Sequence, residues 1–222
     1  MWDKLKDANR LNEFLFMGTL SLFCFAFSVT RAVCSGTKAF LFLNWNLFLA
    51  FIPWALTTGL LMHPKVRESK IILALTTCLW LLFFPNAPYI LTDLFHLYPR
   101  PGIPVWLDLV LILSFAWSGL LFGFLSLFDI EEILSKHMHP KIVSALAIIL
   151  LFISAFGIYL GRFLRWNSWD ILTNPLGLAS DIGERLIDPL DHPRTWGVTL
   201  FMGLLLNILY FSLKLINRRK MT

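Results

Sequence analysis

Tyr89, Asp93 and His96 stand at i, i+4 and i+7, a spacing that on an α-helix lines up a phenol, a carboxylate and an imidazole. A carboxylate beside an imidazole can move a proton near neutral pH, and a phenol adds a hydrogen-bond donor. The spacing points to acid–base chemistry, with Asp93 as general base, His96 as its partner and Tyr89 as the donor. The alternative is an interfacial helix whose polar face only meets lipid headgroups. Asp93 and His96 could also give two ligands to a metal, with His192 as a third. No HExxH, Walker A, GxSxG or GxGxxG motif accompanies them, and they specify no cofactor.

A second block supplies anion-binding chemistry. Arg162 and Arg165 are i, i+3 and share a helical face, followed by Asn167 and Asp170. Arginine offers a rigid fork of donors suited to phosphate or carboxylate. The competing role is snorkelling to headgroups. Asn86 and Asp108 complete the candidate binding set. Asp93 or Asp108 against Arg162 or Arg165 would make plausible ion pairs, since buried charge needs a partner.

These residues must be positioned by a membrane fold. The 222 residues are 57% hydrophobic and only 15% charged, against about 25% charged in soluble domains. Six stretches are apolar enough to cross a bilayer: 14–33, 39–62, 71–84, 104–128, 142–161 and 197–216. The expected architecture is an all-α, single-domain, six-helix transmembrane bundle. The first stretch is too long for a cleavable signal, and Pro53 should kink the second span. The net charge of +5 reads as membrane orientation rather than nucleic-acid binding. The larger share of Lys and Arg falls on the N-terminal side, which predicts cytoplasmic termini and outward loops at 85–103 and 162–196. Trp2–Lys6 could form a short surface helix or a solvated tail. Cys24, Cys34 and Cys78 form no CxxC pair and read as buried, inert thiols.

The third span is the anomaly. Fourteen apolar residues reach about 21 Å of a roughly 30 Å core before Pro85 and Pro88 intervene. The helix should break there and give way to a short helix in the outer interface, ending before Pro99. Irregular backbone at that depth implies a cavity or a buried polar cluster. Arg31, Asn44, Asn46, Asn86, Asp93, His96, Asp108, Arg162, Arg165, Asn167 and Asp170 are all expected at this end. Residues 175–189 read as an amphipathic outer helix, either a lid or a connector.

The blocks FPNAPYILTDL (84–94) and RFLRWNSWD (162–170) resemble a bacterial membrane-protein family catalogued as domain of unknown function 1361. The resemblance implies a multi-pass membrane protein and brings no activity and no assigned residues. The residues themselves point to binding or processing of an anionic lipid or lipid-linked substrate in a bacterial cell membrane. Membrane lipids are the expected partners, and a homo-oligomer is possible. A small-solute transporter and a non-catalytic assembly protein are the alternatives.

Overall fold

The computed structural model describes residues 10–63 and 69–218, with side chains through residue 216; the segment Trp2–Lys6 lies outside them. The helices are α1 (Leu11–Ser35), α2 (Phe42–Met62), α3 (Lys70–Phe83), α4 (Asn86–Tyr89), a 3₁₀ segment (Ile90–His96), α5 (Val105–Ser135), α6 (Pro140–Phe163), α7 (Asp170–Thr173), α8 (Pro175–Ile187) and α9 (Pro193–Arg218). No strand occurs among the described residues, so the fold is all-α. Six helical stretches are long and apolar enough to cross a membrane, with Lys70–His96 counted as one of them. The chain divides into two compact units, Met1–Ile130 and Glu131–Thr222.

In the first unit α5 is the spine. Leu111, Ile112, Phe115 and Phe122 of α5 are buried with Leu43, Leu47, Ala50 and Trp54 of α2. Along its length α5 also meets α1 and α3 through paired polar groups: Ser118 with Cys24 at 3.2 Å, and Ser126 accepting from Trp80 Nε1 at 3.1 Å. Helix α2 runs through Pro53 without interruption. Cys24 is buried, but Cys34 and Cys78 are exposed, which corrects the expectation of three buried thiols. Both sit on helices apolar enough to face lipid.

The helical ladder is interrupted where the prolines require it, after Phe83, yet the chain does not turn away. Phe84, Pro85, Tyr89 and Ile90 all keep right-handed helical dihedrals. The segment stays against α2, with Asn46 Nδ2 2.8 Å from Asp93 and the Phe42 and His96 rings 5.2 Å apart. The short helix expected in the interface is therefore a continuation of the third span. What holds it is a pair of glycines on α5. A Cβ on Gly119 would lie 2.6 Å from the Ala87 carbonyl oxygen, and one on Gly123 would lie 2.9 Å from Ala87 Cβ. This small-xxx-small surface lets the proline-broken backbone come close, the usual device for helix association in lipid.

In the second unit α6 and α9 pack antiparallel. The Arg194 guanidinium lies 4.1 Å from the Phe163 ring centroid, Phe156 stacks on Trp196 at 6.1 Å, and Gly203 makes room for Phe152. Helix α8 starts at Asn174, whose side-chain oxygen accepts from the Gly177 amide. Trp166 Nε1 donates to Asp181 at 2.6 Å and Trp196 Nε1 to the Arg185 carbonyl at 3.2 Å. Two tryptophans thus fasten α8. Leu172, Leu176, Ile187 and Leu190 around it are strongly exposed, as an interfacial helix requires.

Candidate functional site

Asp93 and His96 come together because the segment after Tyr89 is a 3₁₀ helix. With three residues per turn, side chains at i and i+3 eclipse, so Asp93 stands in one row with His96 and Ile90. The Thr92 hydroxyl donates to the Tyr89 carbonyl at 2.7 Å. The register read from the sequence assumed an α-helix throughout, and from Ile90 to His96 the winding is 3₁₀ instead.

Asp93 is 1% exposed, and Asn46 Nδ2 donates to its Oδ2 at 2.8 Å. His96 Nδ1 lies 3.8 Å from Asp93 Oδ1, an ion-pair distance rather than a hydrogen bond. That nitrogen is itself buried, while the His96 side chain is 42% exposed. The imidazole therefore has one edge toward an oriented carboxylate and another toward the surroundings. Such a carboxylate–imidazole pair can hold and pass a proton. Asn86 Nδ2 donates to the Phe83 carbonyl at 2.9 Å, at the end of α3. Among the described residues no three His, Cys, Asp or Glu side chains are grouped to hold a metal ion.

Asp108 is also 1% exposed, and its carboxylate is fully engaged. Arg31 donates Nε to Oδ1 at 2.9 Å and a terminal nitrogen to Oδ2 at 3.1 Å, and Arg100 donates to Oδ2 at 2.8 Å. Arg31 also bonds Ser35 and Thr37. Both guanidiniums lie over the Phe40 ring, at 4.9 and 4.5 Å. Arg100 further donates to the His96 carbonyl at 3.3 Å, which ties this clamp to the Asp93–His96 pair. Arg100 was not among the expected site residues.

A second clamp sits at the opposite end of α1 and α5, although the sequence pattern placed nearly all polar groups at one end. Arg10 pairs with Asp129, donates to Thr58 at 3.0 Å, and contacts Glu13 at 2.5 Å. Thr57 donates to Asp129 at 2.6 Å and Trp54 Nε1 to Glu13 at 2.5 Å. The signal was present: Asp129 ends an otherwise apolar run. The two clamps are twenty-one positions apart along both segments, Arg10 to Arg31 and Asp108 to Asp129, or about 31 Å along a helix.

In the second unit α6 ends at Phe163, so Arg162 and Arg165 do not share a helical face. Arg165 is exposed and lies in the left-handed region at φ 65°, and the Trp166 amide returns to the Leu160 carbonyl at 3.2 Å. Asp170 Oδ2 accepts from the Asn167 amide at 2.6 Å and from its Nδ2 at 3.2 Å, and Thr173 donates to Oδ1 at 3.0 Å. The Asn167 amide, foremost among these donors, holds the Asp170 carboxyl below the usual carboxylate range. Asn167 and Asp170 are thus brought together as the cap of a tight turn.

The family model described as "Protein of unknown function (DUF1361)" matches residues 45–209. The chain belongs to that family. The DUF1361 match takes in Asn46, Asp93, His96, Arg100, Asp108 and Asp129, whereas Arg10 and Arg31 precede it. With six helices apolar enough to span, this DUF1361 member is a multi-pass membrane protein. No functionally curated protein and no solved structure matches it.

Proposed function

We propose that this protein binds or processes an anionic lipid or lipid-linked substrate at the Asp93–His96 end of its third span, in a bacterial cell membrane with both termini cytoplasmic. The observation that carries the reading is the half-exposed imidazole beside a buried carboxylate oriented by Asn46. Ionisable groups inside a span are rare without a functional reason. A protonated His96 would meet an anionic headgroup while Asp93 takes up or returns the proton. Arg162 and Arg165 are proposed as anion-holding residues of the second unit. Supporting this, Arg165 keeps a strained backbone where glycine would relax it.

Native mass spectrometry of protein extracted with phosphatidylglycerol or phosphatidylcholine tests the proposal. His96→Ala and Asp93→Asn are expected to lose retained phosphatidylglycerol at least tenfold while membrane levels hold. Unchanged retention in both overturns it. A purely structural role is favoured at one place, the Arg31–Asp108–Arg100 clamp, where every Asp108 oxygen already has a guanidinium partner. Asp108 is accordingly assigned to holding the site together.

A further inference from the structure

A cavity of about 370 Å³ opens between α1 and α2, with Phe122 of α5 on a third side. It runs from Phe14 and Trp54 at one end to Phe25 and Asn44 at the other. Its two polar lining residues are satisfied elsewhere: Ser21 donates to the Met17 carbonyl at 2.8 Å, and the Asn44 amide reaches Ser28 and the Leu41 carbonyl. What remains is a wall of aromatic and aliphatic carbon. Both helices are membrane spans, so hydrocarbon is the medium at its mouth.

The dimensions choose the occupant. Phe14 to Phe25 is about 16 Å along a helix, close to the roughly 15 Å depth of one leaflet. Phe25 lies ten residues, or about 15 Å, short of Ser35, so the cavity stops near the bilayer midplane. A volume of about 370 Å³ spread over that length is a slot narrower than an α-helix with its side chains, about 10–12 Å across. A second copy's helix is too thick, and a bare hydrocarbon chain fits. The polarity also runs the right way. At the surface end Trp54 is both wall and hydrogen-bond donor to Glu13, with the Arg10 guanidinium 5.8 Å from its ring. An unfilled void there would forfeit dispersion contacts on every lining ring.

We propose that this groove is a site for one acyl chain of a phospholipid from the leaflet on the N-terminal side of α1. It is independent of the Asp93–His96 reading. Gly18 lines the groove, and a Cβ there meets nothing within 4 Å, so Gly18→Leu starts its side chain from open space in the groove. The full-length protein is reconstituted with a phosphatidylcholine carrying a diazirine near the end of one chain, irradiated, and mapped by peptide mass spectrometry. Labelling is expected to concentrate on Leu47 and Phe51, which are shielded from bulk lipid, and to fall at least tenfold in Gly18→Leu. Gly18→Ala, which adds a single methyl, should label like the parent. Labelling equal to that of the lipid-exposed Phe16, Leu22 and Phe23, or unchanged by Gly18→Leu, overturns the proposal. So does cross-linking of the groove to a second copy.

Discussion

Arg165 and Asp170 show how much of one loop rests on single residues. An L-residue in the left-handed region costs about 1–2 kcal/mol that glycine does not. Arg165→Gly is therefore expected to raise stability by up to about 1 kcal/mol in chemical unfolding while removing any anion binding in that unit. Loss of stability would mean that the guanidinium, not the backbone, holds the loop. Asp170 gives a pH prediction. Its carboxyl is lowered by the Asn167 amide, so the charged form is the one the turn binds. The contribution is complete above the ordinary carboxylate pKa of about 4 and is lost as pH falls through the lowered value. The Asn167 amide resonance should titrate with that lowered midpoint, and Asp170→Asn should abolish the titration. The sequence marked Asn167 and Asp170 as polar and outward. It could not show that they cap their own turn, because helix ends are decided by local hydrogen bonds rather than by hydropathy.

Among the elements, the third span depends most on its neighbour. Pro85 and Pro88 remove two amides, and the freed backbone is accepted only because Gly119 and Gly123 leave space on α5. Gly119→Val is expected to cost at least about 2 kcal/mol, since its side chain meets a carbonyl and not a yielding side chain. Unfolding in mixed micelles measures it, and a change below about 0.5 kcal/mol would refute the packing argument. The prolines made the interruption legible. The continuation as a 3₁₀ segment along α2 was not, because proline removes donors without fixing where the chain goes next. The Gly119–Gly123 spacing was in plain sight as the missing signal. The same winding keeps Asp93 and His96 together.

At the scale of the molecule, six spans were readable from hydropathy because lipid imposes length and apolarity on each of them. The pairing of charges was not readable: Asp108 and Asp129 each find arginines far away in sequence, and only packing brings them near. Those two clamps tie α1 to α5 at both ends, about 31 Å apart, nearly the thickness of a bilayer's hydrocarbon core. Helix α1 cannot slide against α5 without breaking a buried pair, at about 3–5 kcal/mol. The first unit thus has a fixed hydrophobic height and can meet a mismatched bilayer only by tilting as a block or by deforming the lipid around it. Its melting temperature across phosphatidylcholines of increasing chain length should peak where the core is near 30 Å and fall on either side. Asp129→Asn should flatten that peak. The arginines at the two ends act as the end-stops of a ruler that the membrane must fit.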